Sequence, residues 1–235
     1  VRFKTGVGPL LDAMEKPDDI DASCLDGLSK KLAPVGKSLT LTRAALPPET
    51  TLIGFAGAPW TLITYMAEGS TSRDFPKARQ WAWQNVKALD GLLDILIEAT
   101  ISFLSLQAQS GAQTLMLFDS WASAVPAVQR DWLVIKPARA IVEGVRKNGH
   151  NQPIIGFPKG IGEGLIRYAA ESGVDAIGLD HGADPVWVGQ NLPVKMPVQG
   201  NLDPVSLLNA SNEMFQDIDH ILDAFHDRPH IFNLG

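Results

Sequence analysis

The sequence predicts an α/β chain wound around a parallel sheet. Six short apolar runs recur at 51–55, 114–118, 153–157, 175–179, 196–199 and 230–233. Five of them pass quickly into Gly, Asp, Ser or Pro and then into sequence of helix length, and the sixth stops at the end of the chain. Strands alternating with helical returns imply parallel neighbours, because a parallel partner is reached only by a long crossover. An open doubly wound sheet would call for a phosphate fingerprint. The nearest candidate, Gly160-Ile161-Gly162-Glu163-Gly164, is one residue short of the G-x-G-x-x-G spacing. A (β/α)8 barrel fits better, as a single partial domain over 1–235 carrying six strands of the eight.

In chain order, 17–31 and 33–45 read as two helices. The first carries Asp18, Asp19 and Asp21 near its start and Lys30 and Lys31 at its end, complementing the helix dipole. Run 51–55 is short and apolar, as a strand covered on both faces should be. A turn containing Gly57 follows, and Pro59 suits a first helical position whose N–H would lack a partner anyway. The free amides of such a helix start attract carboxylates or phosphates. Segment 68–74, rich in Gly, Ser and Thr, reads as a loop, either folded over a cleft or solvated. Further helices are predicted over 75–109, as one or two pieces, 132–147, 161–172, 185–191 and 204–225; Asn148-Gly149 and Gly173 are suitable stops.

Composition narrows the function classes. The chain has 235 residues, 45% of them hydrophobic, enough to bury a full core, and one α/β barrel commonly takes ~250 residues. A net charge of -6 without a Lys/Arg run argues against a nucleic-acid surface, so an anionic substrate must find a local basic pocket. The single cysteine, Cys24, excludes an internal disulfide framework and a multi-cysteine zinc site, and fits a reducing cytoplasm. The apolar stretch 92–106 is interrupted by Asp94 and Glu98 and reads as an amphipathic helix, not a membrane span. With Val as its first residue, the chain is expected to be processed or truncated.

A barrel places every strand end on one rim, where active sites of that fold lie. The rim residues are then Phe55, the 56–58 turn, Phe118, Asp119, Ser120, Lys159, Asp180, His181, Asn201, Asp203, Asn233 and Gly235. Strand parity puts Phe118 and Ser120 on one side. Aromatic walls with a few hydroxyl, amide and carboxyl groups suit an organic substrate with a large apolar body and polar edges. Alone, Tyr65 reads as a core tyrosine and Ser120 as a helix N-cap. Asp119 reads as an acid or as an orienting group, Lys159 as a carboxylate partner or as a rim lysine in a salt bridge or in solvent, and His181 as a rim histidine. His220, His226 and His230 read as surface residues.

The strings Gly54-Phe55-Ala56-Gly57-Ala58-Pro59-Trp60-Thr61-Leu62-Ile63-Thr64-Tyr65, Leu117-Phe118-Asp119-Ser120, Gly178-Leu179-Asp180, Gln199-Gly200-Asn201-Leu202-Asp203-Pro204 and Asn233-Leu234-Gly235, in this order and spacing, resemble the uroporphyrinogen decarboxylase family. The resemblance implies a cytoplasmic, cofactor-independent carboxy-lyase of heme biosynthesis. Such an enzyme takes CO2 from the four acetate arms of uroporphyrinogen III to give coproporphyrinogen III, and is usually a homodimer on a (β/α)8 barrel. It implies substrate-binding roles for Tyr65 and Ser120 and a pocket lined by Phe55, Gly57 and Phe118, and it binds no metal.

The resemblance also has departures. The family's arginine-bearing first strand end and the catalytic aspartate of its second have no counterpart here, and its late histidine would follow Gly235. The six runs then correspond to strands 3 to 8. The expectation is a fragment lacking the N-terminal part and the extreme C-terminal part, with two open sheet edges and no decarboxylation by itself. Two other readings are a zinc- and corrinoid-dependent methyltransferase of the same barrel superfamily and a porphyrin-binding remnant without activity. The methyltransferase needs His and Cys ligands at strand ends, where this sequence has no His-x-Cys.

Overall fold

A computed structural model describes residues 2–4, 8–10, 12–69, 72 and 74–235. Ser70, Thr71 and Arg73, in the expected loop 68–74, lie outside the described residues. The chain opens with an antiparallel pair that the sequence does not announce, β1 (Arg2–Lys4) and β2 (Gly8–Leu10). The helix expected over 17–31 is instead two 3-10 turns, Pro17–Asp19 and Ala22–Leu25. A single helix α1 (Leu28–Ala45) replaces the expected start at 33. Gly27, at φ 68°, accounts for the break, since left-handed backbone cannot continue a right-handed helix. Pro34 lies inside α1 and does not end it.

The six expected strands form one sheet: β3 (Ile53–Gly57), β4 (Thr114–Asp119), β5 (Ile154–Pro158), β6 (Ala176–Gly178), β7 (Val198–Gln199) and β8 (His230–Ile231). All neighbours are parallel, and the order in space is the order in the chain. A doubly wound sheet reverses its strand order at a switch point, and no reversal occurs among the described strands. The sheet therefore follows the course of a (β/α)8 barrel that is not closed among the described residues, with β3 and β8 at its edges.

Between the strands lie α2 (Pro59–Glu68), α3 (Pro76–Gln84), α4 (Val86–Gln109), α5 (Lys136–Lys147), α6 (Gly164–Glu171), α7 (Pro185–Asn191), α8 (Pro204–Asn209) and α9 (Asn212–Ala224). The predicted 204–225 helix is split where Ala210 turns left-handed at φ 46°. A five-residue π turn, Asp131–Ile135, leads into α5.

Period-2 alternation divides the sheet. Leu115, Leu117, Ile154 and Ile177 face the helices and join the main core with Trp60, Ile63 and Leu104. Met116, Ile155 and Ala176 face the other way, and Phe118 and Phe157 pack on them as a separate, smaller cluster. That second face is the one a barrel turns inward.

Candidate active site

The inward face carries a row of aromatic rings at the strand ends. Phe118 and Phe157 are paired in register on β4 and β5, with ring centroids 5.5 Å apart, and Phe55 of β3 meets Phe118 edge-on at 5.8 Å. Such T-shaped pairs are favoured by the ring quadrupoles. Phe55 remains 61% exposed, so one wall of the row is open to a ligand.

A cavity of about 290 Å³ opens beside this row. Its walls are Phe118, Phe157 and Met116. Ser120, Lys159, Gln199 and Asn233 supply its polar groups, and Gly178, Leu179, Leu234 and Gly235 complete it. Gly178 keeps the floor open, because a Cβ there would stand 2.8 Å from the Phe157 ring.

Tyr65 is not among the cavity's lining residues. It is half-buried on α2 and meets Trp121 edge-on at 6.4 Å; Trp121 in turn lines a second hollow of about 450 Å³ with Phe75, Arg79 and Ser123. Gly57, opposite Phe118 in the sheet, borders a small apolar cleft with Leu28, Leu62 and Phe103. Of the sequence-predicted residues, Phe118 and Ser120 line the cavity, Phe55 reaches it only through its contact with Phe118, and Tyr65 and Gly57 lie outside its lining.

Other rim residues hold the scaffold. Asp119 points to the helix side, is 2% exposed, and accepts a 2.7 Å hydrogen bond from the Thr61 hydroxyl. Burial pushes its carboxyl up to about 7, against the lowering effect of the Thr61 hydroxyl and amide. Asp180 accepts from the Gly160 and Gly182 amides at 2.8 and 3.0 Å, and buried Asn201 donates to the Asp180 and Ala183 carbonyls. Asp203 caps α8 through the Val205 amide. His181 is exposed, and its ring has no hydrogen-bond partner among the described residues. His226 pairs with Asp227 on the surface. His230, expected at the surface, is instead half-buried, 2.6 Å from the Gly200 carbonyl, because the start of β8 is held against the strand end of β7.

No three His, Cys, Asp or Glu side chains among the described residues converge as a metal site, and Cys24 lies exposed on an early 3-10 turn. No helix is long and apolar enough to cross a membrane among the described residues. Sequence reasoning passed over Phe157 as a wall residue, although the parity that selects Phe118 and Ser120 also selects Ile155, Phe157 and Lys159.

Fold and site together define a barrel-type α/β protein with a cavity at the C-terminal ends of the strands. A family model described as "Uroporphyrinogen decarboxylase (URO-D)" matches residues 1–235, and the chain belongs to the uroporphyrinogen decarboxylase family. It is 45% identical over 235 residues to the uroporphyrinogen decarboxylase of Maricaulis maris, covering all of this chain and 68% of that protein. The Novosphingobium aromaticivorans protein of the same name is 42% identical over 237 residues, again with the whole chain and 68% of the relative covered. That of Rhodospirillum rubrum is 38% identical over 235 residues, with the same coverage. A solved methyltransferase from Methanosarcina mazei superposes with a TM-score of 0.78 over 96% of this chain and 65% of that one; at 14% identity the likeness is one of fold alone.

Proposed function

We propose that the protein acts as a uroporphyrinogen decarboxylase, removing CO2 from the acetate side chains of uroporphyrinogen III to give coproporphyrinogen III. The observation that carries this reading is the Phe55–Phe118–Phe157 row bordering a cavity with Ser120, in a chain that matches the family over its whole length. The rings offer apolar faces to a tetrapyrrole, and the Ser120 hydroxyl offers a donor to one of its carboxylates. Phe118 and Phe157 are walls of the cavity, Phe55 extends their row beyond it, Gly57 stands opposite Phe118 in the sheet, and Tyr65 presents a second hydroxyl across Trp121.

The reaction needs no external electron sink. Protonating an electron-rich pyrrole carbon makes the ring the acceptor for the electron pair that the departing CO2 leaves behind. A second proton then converts the exocyclic methylene to the methyl group, and the ring carbon releases the first proton to restore the pyrrole, so that one proton is consumed for each CO2 lost. The protein's task is to place each acetate, supply the acid, and stabilise the pyrrolic cation. No carboxylate or imidazole side chain lines the described cavity, so this reading gives its residues binding roles and assigns the acid to none of them. Cofactor independence, a homodimer and a cytoplasmic site of action are parts of the same proposal.

The test is an anaerobic assay of the protein expressed from its complete coding region. With uroporphyrinogen III as substrate and a metal chelator present, the acetate arms are expected to be lost in turn, with coproporphyrinogen as the end product. Absence of CO2 release by a folded preparation refutes the reading, and activity abolished by the chelator refutes its cofactor independence.

A further inference from the structure

Lys159 stands one position beyond β5, and Ser120 one position beyond β4. The last registered pair of these strands is Asp119 with Pro158, and the ladder continues one step further, because the Lys159 amide donates to the Asp119 carbonyl at 3.1 Å. Ser120 and Lys159 are thus the next pair across two adjacent parallel strands, whose spacing is about 4.8 Å. By parity they lie on the face of Phe118 and Phe157, and all four line the same cavity.

The Lys159 ammonium has no carboxylate partner among the described residues. The acid that reaches its loop, Asp180, spends its two oxygens on the Gly160 and Gly182 amides and does not line the cavity. A half-buried cation left unpaired beside a hydroxyl, over an aromatic floor that can cover its aliphatic stem, is an arrangement completed by an incoming anion.

We propose that Lys159 is a carboxylate-binding residue of this cavity, gripping one acidic arm of the substrate together with Ser120 while Phe118 and Phe157 support the ring that bears it. The inference rests on the tetrapyrrole reading above and adds to it the charge that the described cavity otherwise lacks. Because the ammonium binds an arm and does not react, its effect falls on substrate affinity more than on turnover.

The experiment compares Lys159→Met, Lys159→Gln and Lys159→Arg with the unaltered protein, expressed from the complete coding region. Anaerobic binding of uroporphyrinogen III is followed by tryptophan fluorescence, and decarboxylation by steady-state kinetics. Both neutral variants are expected to weaken binding and raise KM by tenfold or more, with kcat within about threefold; Lys159→Arg should recover most of the loss. Raising the salt concentration should weaken substrate binding by the unaltered protein more than binding by the neutral variants. KM within twofold of the unaltered protein in both neutral variants overturns the proposal, as does an arginine variant as impaired as the methionine one at an unchanged melting temperature. If the unaltered protein binds the substrate without releasing CO2, the decarboxylase reading fails, and the binding comparison still decides the role of Lys159.

Discussion

The Thr61 hydroxyl lies 2.7 Å from Oδ1 of Asp119, on the helix side of the sheet and one residue away from Ser120. The same hydroxyl accepts the Trp121 amide at 3.3 Å. The Ala58 amide donates to the Phe118 carbonyl at 2.8 Å, and the Trp60 indole donates to the Trp121 carbonyl at 3.0 Å. Residues 118, 119 and 121 are all tied to the first turn of α2, the helix that carries Tyr65 one turn after Thr61. The two hydroxyls proposed to meet substrate acids therefore share one rigid junction.

Asp119 makes stability depend on pH. Its folded carboxyl, pushed up to about 7, holds a proton that the unfolded chain releases near pH 4. Its contribution is therefore complete below about pH 4 and is lost as pH rises through 7, a difference of up to about 4 kcal/mol for so deeply buried a group. The titratable neighbour is Tyr168, whose phenol is pushed up first by burial and then by the Asp119 charge. Asp119→Asn should flatten the fall in stability between pH 5 and pH 8, read as denaturant midpoints.

Thr61→Val removes the donor to Asp119 and the acceptor for Trp121 while keeping the volume. It should destabilise the protein by about 1–3 kcal/mol. Because the lost hydrogen bond lowers the Asp119 pKa, the pH midpoint of the stability loss should also move upward. Thr61→Ser should restore both quantities, and identical pH profiles for the valine and threonine forms would count against this junction.

Gln107 holds the outer edge of the sheet. Leu52 O and Ala58 N bond to β4, so the peptide groups of Phe55 point to the free side, where the Gln107 amide takes both at 2.8 Å. Gln107→Leu should cost about 1–3 kcal/mol and speed hydrogen exchange at the Phe55 amide. Unchanged exchange at that site would refute the assignment.

Gly156 gives Tyr168 its place. A Cβ at 156 would stand 2.5 Å from the phenol oxygen and 2.7 Å from a ring carbon of this fully buried side chain. Gly156→Ala should lower stability by about 1–3 kcal/mol through overpacking. In that background Tyr168→Phe should recover only part of the loss, since the ring carbons still crowd the new methyl group; thermal melts of the single and double variants check this.

Strand number and sense were legible because buried parallel strands read as short apolar runs between helical returns. Strand ends were less so: β3 runs two residues past Phe55, since Gly57 still pairs with Phe118. The break before α1 is not legible in the charges of 17–31, which favour one helix; the left-handed backbone of Gly27 decides the matter. Within the site, parity grouped Phe118 with Ser120, and the same rule carried through β5 selects Phe157 and Lys159. The partners of Asp119 and Phe55 were not legible, because Thr61 and Gln107 lie 58 and 52 residues away in the chain.

By itself the sequence determined the alternation of strands and helices, the face on which each strand residue lies, and the strings that join this chain to its family, all of which rest on local spacing. Tertiary structure alone decided that Asp119 meets the Thr61 hydroxyl behind the sheet, that Gln107 closes the edge of β3, and that Lys159 has no carboxylate partner among the described residues. These outcomes depend on which distant polar groups meet when the helices close over the sheet, where a buried donor or acceptor must find its partner across the fold and not along the chain.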